Sequence, residues 1–461
     1  MSPPPDYDRF LPPMDHPALL PWMTLQWNAH RFARGLSLPG GKGDLLPVER
    51  LFVPPLGVEE ALREQGRVVL LGDSGAGKSF YVHALVHGLS ARGYGEWQRR
   101  LGARVPLPLG PEELMAPAEG EGIGLLFELL RRGWTPEMLE VLPALLDSGQ
   151  ALFVLDGWDE VDDPARRAAL RDALDELHQL HPRVGVLLTS RRWAWEELPV
   201  PGLVEVPLDY EGGRELWALL QGWWQRELGP LPVKLPGEFG LPGRLGLLAL
   251  LVAEGERVLP DTWPELLERA QDRLLLAWTQ GGAPLALRRR WVEALALRLQ
   301  RARVWGNLPR RISREEALRV LEGVESGGLP GVAEEFLKAG LRPGGLLVEE
   351  EGGGGGIGFV HLDHQDWLAA GGLLRRLGQG WLDPEETQRL ADEIGRMALR
   401  SAGFGAVVLL FERLRREQPE LGDQLAVEVF RRREAPPEAL RRLVGLAVRL
   451  GCEDLVGWAA G

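Results

Sequence analysis

Cysteine is all but missing. Cys452 stands alone in 461 residues, which excludes an intramolecular disulfide and a cysteine-rich metal site and fits a reducing compartment. Long apolar runs are missing too: stretches such as 245–253 and 406–411 are too short to cross a bilayer. The opening residues, Met1 to Asp8, lack the basic and apolar regions of a signal peptide. The expectation is a cytoplasmic protein with no membrane span. Positive charge is not in excess either. The formal net charge is −13, which argues against a nucleic-acid partner with a broad footprint. Lysine occurs only as Lys42, Lys78, Lys234 and Lys338, and arginine supplies the other basic residues, a bias that fits a GC-rich genome. What the chain does have is apolar mass. Hydrophobic residues make up 45% of it, enough for a sizeable core, and the length suits about three domains.

One of the four lysines sits in Gly72-Asp73-Ser74-Gly75-Ala76-Gly77-Lys78-Ser79, which fits the phosphate-binding pattern G-x-x-x-x-G-K-[ST]. The apolar run Val68-Val69-Leu70-Leu71 precedes it, and a helix-compatible run from Phe80 to Val86 follows. Strand, glycine loop and helix are the context in which backbone N–H groups and a helix N-terminus cradle phosphate. Lys78 is placed to reach the β- and γ-phosphates, and the Ser79 hydroxyl to ligate Mg²⁺.

Two further polar clusters end apolar strands. Ala151-Leu152-Phe153-Val154-Leu155 leads into Asp156-Gly157-Trp158-Asp159-Glu160. A carboxylate at the first position can hold Mg²⁺, which points to Asp156. Asp159 and Glu160 are then candidates to orient and deprotonate an attacking water. The run 184–188 leads into Thr189-Ser190-Arg191-Arg192, where Arg191 can stabilise a γ-phosphate and Arg192 reads as surface. In an open parallel sheet, ligands bind beyond the carboxyl ends of the strands, so the three clusters are expected to converge.

Elsewhere the pattern predicts a helix over 22–38 ending near Gly35, a loop at 40–44, a helical run over 58–65 and a strand at 105–109 whose prolines suit a sheet edge. Helices are expected over 125–132, 136–146 and 164–181, and a short strand at 204–206. Alternating strands and helices imply a mostly parallel sheet covered on both faces. Beyond Asp209 the pattern turns helical, over 214–226, 245–253 and 263–278. Helices at 287–301, 314–321 and 332–339 precede a hairpin around the glycines 352–356, which suggests a winged helix. A helix over 365–376 and a helical tail without a clear repeat period complete the chain.

The motif from Asp156 to Glu160 resembles that of the NACHT family of STAND nucleotide triphosphatases, and so does the Thr-Ser-Arg strand end. Leu241-Pro242-Gly243-Arg244-Leu245 is similar to the family's proline motif, and 259–267 to the L-P-x-x-x-x-E-L stretch that follows it. Residues 359–370, from Phe359 through His361 to Ala370, are similar to the signature that closes the winged-helix domain. The leader over 35–54 resembles the segment before bacterial NACHT modules. Arg192 stands where the family often has proline, and Asp366 where it usually has glutamate. The resemblance implies an α/β P-loop domain followed by a helical domain, a winged-helix domain and a helical tail. Its boundaries would be a leader at 1–45, a nucleotide-binding domain at 46–210, a helical domain at 211–282, a winged helix at 283–376 and a tail at 377–461. It also implies ATP and ADP with Mg²⁺ as ligands and a nucleotide site of 72–79 with Phe80. Pro242 would close on the adenine, and His361 would contact the β-phosphate of a resting ADP state. Exchange for ATP would permit homo-oligomerisation, in signalling such as anti-phage defence or programmed cell death.

ATP is favoured over GTP because no N-K-x-D guanine motif follows the P-loop. The residues leave two rival readings open. One is a scaffold that holds a nucleotide without hydrolysing it. The other is a transcription regulator that places the winged helix on DNA through the basic run Arg288-Arg289-Arg290 with Arg298, Arg301 and Arg303. That run reads more readily as a solvated or ion-paired face. Trp217, Trp223 and Trp224 on one helix suit a core or a domain interface. With no room for an effector domain before residue 20 and no long repeat array after 375, the expectation is either an effector or sensor protein acting in trans or a helical tail that itself recognises the trigger.

Overall fold

The computed structural model describes residues 57–208, apart from 73–74, 91–95, 103, 117 and 162, and most of 256–430. It also describes strands at 32–37 and 45–47 and isolated residues elsewhere. The chain divides into two compact units. The first holds the described residues up to Leu208 with Arg244, and the second those from Leu247 onward.

In the first unit, β1 (Phe32–Ser37) and β2 (Leu45–Pro47) form an antiparallel pair. This corrects the helix expected over 22–38: residues 23 and 26 are helical, but 32–37 are a strand. The ladder with β2 satisfies backbone groups that a helix would otherwise pair locally, and this partner lies outside any local window.

The elements that follow are α1 (Val58–Gln65), β3 (Arg67–Leu71), α2 (Lys78–Leu89), α3 (Glu96–Leu101), β4 (Val105–Leu109), α4 (Pro111–Met115), α5 (Ile123–Arg131) and α6 (Pro136–Ser148). Then come β5 (Ala151–Leu155), α7 (Pro164–Leu180), β6 (Gly185–Ser190), α8 (Arg192–Glu197) and β7 (Val204–Pro207). The five strands β3 to β7 make a parallel sheet in the order β4-β5-β6-β3-β7. From β3 the chain crosses to one edge, returns through β5 and β6, and then passes β3 to reach the other edge. That reversal opens a crevice at the carboxyl ends of β3 and β6, where such sheets bind ligands.

Strand periodicity decides which face each side chain serves. Val69, Leu71, Leu107, Phe153, Leu155, Val186 and Leu188 join a core with Leu125, Leu126, Met138, Leu142, Leu170 and Leu174 from α5, α6 and α7. Val68, Leu70, Leu152, Val154 and Leu187 face the other way, toward Val58 and Leu62 of α1 and Tyr81, Val82 and Leu85 of α2. Each fully buried side chain of this size contributes about 1.5–3 kcal/mol. Burial on both faces explains why β3, β5 and β6 read as unbroken apolar runs.

The prolines of β4 sit at a sheet edge, as their chemistry requires. The Val105 N–H donates to the Gln150 carbonyl at 2.8 Å, on the β5 side. Alternation then turns Pro106 and Pro108 outward, where a missing N–H costs no ladder bond.

In the second unit come α9 (Trp263–Ala277), α10 (Leu285–Trp305), β8 (Ile312–Ser313), α11 (Arg314–Glu322), α12 (Pro330–Gly340), β9 (Leu347–Glu349) and β10 (Gly356–Phe359). The strands form an antiparallel sheet in the order β8-β10-β9. Then follow α13 (Leu362–Gly380), α14 (Pro384–Leu399), α15 (Ser401–Glu417) and α16 (Pro419–Phe430). Helix α13 packs on α10 and α15. Gly371 and Gly372 let it approach closely: a Cβ on Gly372 would meet the Glu293 carbonyl oxygen of α10 at 3.1 Å.

Arginines of the basic run are engaged within this unit. Arg289 bonds Glu268 at 3.2 Å and Asp272 at 2.5 Å, and Arg288 donates to the Leu275 carbonyl at 2.8 Å. Arg298 pairs with Glu316 at 2.5 Å and Arg301 with Glu393 at 2.7 Å. The three tryptophans of 214–226 and the expected helix around them lie outside the described residues.

Candidate functional site

The glycine loop leaves β3 and turns into α2. The Gly72 N–H donates to the Ser190 carbonyl at 3.2 Å, tying the loop's first residue to the end of β6. Gly75 and Gly77 have φ of +73° and +89°, a region that favours glycine. Gly77 caps α2 without a side-chain hydrogen bond. Glycine brings no capping side chain to this helix N-terminus, a position that suits an anion. Lys78 Nζ donates to the Gly72 carbonyl at 2.8 Å, so the ammonium lies across the loop. Ser79 is exposed in the first turn, and Phe80 beside it is half-buried. Asp73 and Ser74 lie outside the described residues.

Sheet register brings the second and third clusters to the same end. Leu71 pairs with Ser190, and Leu155 with Leu188. Asp156 therefore stands one step beyond β5, level with Thr189. The Thr189 hydroxyl donates to Asp156 Oδ1 at 2.5 Å and accepts from the Gly157 N–H at 2.9 Å. Thr189 is fully buried. Sequence reasoning gave this threonine no role. Its position at the end of an apolar strand, two residues ahead of Arg191, was the available signal.

Burial pushes the Asp156 carboxyl above the usual aspartate range. Hydrogen bonds from Thr189 and Ser79 and the Lys78 ammonium oppose this, and Asp159 adds to it. A carboxylate that is costly to desolvate, beside the Ser79 hydroxyl, fits a hard cation that would restore the lost solvation. One carboxylate and one hydroxyl, completed by phosphate and water oxygens, is a donor set typical of Mg²⁺. Ser79 and Asp156 are thus compatible with the assigned metal role.

After Asp156 the chain turns sharply. Gly157 has φ of +86°, and a Cβ there would meet Pro111 Cγ at 2.9 Å and Glu160 Cδ at 3.2 Å. Trp158–Glu160 form one 3₁₀ turn, which buries Asp159 and leaves Glu160 half-buried beside Gly157. Asp159 Oδ2 pairs with Arg191 Nε at 3.1 Å, with both side chains almost fully buried. The Arg191 guanidinium also lies 5.7 Å from the Trp193 ring centroid. Arg192 is exposed at the start of α8. Lys78, Ser79, Asp156, Thr189 and Asp159 form one cluster with Arg191 attached. Pro242 and His361 lie outside the described residues. His364 is buried, with Nδ1 3.3 Å from Gln271 Nε2.

Residues 66–209 match the family model described as the NACHT domain. The chain carries a NACHT-type P-loop NTPase domain. That match spans β3 through β7 and contains every described member of the cluster. Among solved structures, a Walker-type ATPase of Pyrococcus abyssi is similar, with 14% identity, 68% of this chain and 92% of that chain covered, and a TM-score of 0.32. A chain from the Drosophila ORC bound to DNA is also similar, with 16% identity, coverage of 80% and 96%, and a TM-score of 0.29. No curated protein matches significantly. Among the described residues, no helix is long and apolar enough to cross a membrane.

Proposed function

We propose that this protein is a slow, Mg²⁺-dependent ATPase that works as a nucleotide-controlled assembly switch. The observation that carries the nucleotide part is the convergence of Lys78, Ser79, Asp156 and Thr189 at one end of the parallel sheet. In this reading, the loop and the N-terminus of α2 bind the phosphates, and Lys78 neutralises their charge. Ser79 and Asp156 would hold Mg²⁺, which supplies electrostatic stabilisation of the phosphates when bound. Thr189 orients Asp156. Glu160 and Asp159 are the carboxylates available to position and deprotonate water, and Arg191 is the cation available to a terminal phosphate.

The switch part extends the family resemblance. ADP would hold the module closed, with Pro242 on the adenine and His361 on the β-phosphate. ATP would open it toward a homo-oligomer acting with an effector or sensor in trans, in defence or cell-death signalling. Helix α10, strand β8, helices α11 and α12 and the β9–β10 hairpin follow the element order expected of a winged helix. The pairing of Arg289, Arg298 and Arg301 with carboxylates favours a structural role for this part over DNA contact.

Binding of ADP and of a non-hydrolysable ATP analogue, with and without Mg²⁺, tests the reading together with sizing in each state. Wild type is expected to bind both nucleotides and to form a larger species only with the analogue. Lys78→Ala is expected to abolish binding. A wild type that binds neither nucleotide, or a Lys78→Ala variant that binds as well as wild type, would overturn the nucleotide reading. A wild type that binds both but never changes size would overturn the switch alone.

A further inference from the structure

Asp159 was expected to orient and deprotonate water and Arg191 to serve the terminal phosphate, yet they are bound to each other. Arg191 directly follows Ser190, whose carbonyl holds the Gly72 N–H at the entrance of the loop. Its side chain pairs through Nε with Asp159 Oδ2 at 3.1 Å, in a nearly buried contact. That oxygen is engaged by a guanidinium, which is a poor arrangement for accepting a proton from water. Glu160, one residue on, is half-buried, and its Cδ lies 3.2 Å from where a Cβ on Gly157 would stand.

We infer that Asp159 is a positioning residue rather than the base: it is the internal counterion that holds Arg191 until a terminal phosphate draws the guanidinium away. The inference rests on the nucleotide reading above and adds a mechanism for telling ATP from ADP. A γ-phosphate and the Asp159 carboxylate compete for one cation. ADP, one phosphate shorter, leaves the pair intact. The cost of breaking the Asp159–Arg191 pair is then charged only to the triphosphate state, and it sets how strongly ATP is preferred.

The test is the ratio of affinities for a non-hydrolysable ATP analogue and for ADP, measured on the full chain. In Asp159→Asn the guanidinium loses its charged partner. The preference for the analogue is expected to rise by at least about fivefold, the lower end of typical coupling between sites, and to be lost in the Asp159→Asn/Arg191→Ala double variant. A general loss of structure would weaken both nucleotides and leave the ratio unmoved. Asp159→Glu, which keeps the charge, is expected to keep the wild-type ratio within twofold, roughly the scatter of such coupling energies. That variant serves if Asp159→Asn fails to fold. An unchanged ratio in an Asp159→Asn variant that keeps its ADP affinity, a rise that survives removal of Arg191, or a fivefold shift in Asp159→Glu would each overturn the proposal. If wild type binds both nucleotides and the ratio still fails to move, only this inference falls. If wild type binds neither, the nucleotide reading falls with it.

Discussion

Thr189 offers a sharp test of how the site is held. Replacing it with valine preserves shape and apolar bulk but deletes one hydroxyl. That hydroxyl donates to Asp156 Oδ1 at 2.5 Å and accepts from the Gly157 N–H at 2.9 Å, inside a fully buried strand end. A hydrogen bond to a charged group is worth about 1.5–3 kcal/mol, and a buried N–H left unpaired costs about 1–3 kcal/mol. Valine gains little in return, because threonine's methyl is already packed, so a net loss of about 3 kcal/mol is expected locally. Thr189→Ser keeps the hydroxyl and loses one buried methyl group, at about 1 kcal/mol. Amide exchange at Gly157 reads the contact directly. At 1.4 kcal/mol per tenfold, the valine variant should speed exchange by roughly a hundredfold, and the serine variant by less than about tenfold. If serine is the more damaging change, packing rather than hydrogen bonding holds Thr189, and the assignment of its hydroxyl to Asp156 is refuted.

Two further outcomes follow from the same cluster. The Asp156 carboxyl is pushed up by burial, so between the ordinary aspartate value and this raised value the folded state binds more protons than the unfolded state. Stability therefore falls as pH rises through that window. Asp156→Asn should unfold at higher denaturant concentration than wild type at neutral pH without ligand, lose that advantage below the ordinary aspartate range, and be overtaken by wild type when Mg²⁺ and nucleotide are added; a neutral-pH loss of stability would contradict the direction of the shift. Glu160→Gln should retain nucleotide affinity while turnover drops by about 10²–10⁴-fold, the usual contribution of a general base, and normal turnover in that variant would remove Glu160 from the mechanism.

Much of the site was legible because its chemistry is local. A glycine loop between an apolar strand and a helix, and acidic and basic clusters at the ends of two apolar strands, are patterns of neighbouring residues. The run from Ala151 to Leu155 reads as a strand because both its faces are buried. The prolines of β4 signal an edge because each lacks a donor. Thr189 escaped because a threonine in a strand is ordinary until its register partner is known. The stretch 32–37 misled because an isolated hairpin strand depends on a partner at 45–47.

By itself, then, the sequence determined the phosphate-binding chemistry, the identity of the charged groups and the alternation that builds a parallel sheet. It could do so because motif spacing and apolar periodicity are written in consecutive residues. The tertiary structure alone decided which of those charges meet. The order β4-β5-β6-β3-β7 places β6 between the strands that carry the loop and Asp156. That placement puts Thr189 on Asp156 and Arg191 on Asp159. Strand order is a non-local property, set by crossovers that bury both faces of the sheet, and no short stretch of sequence encodes it.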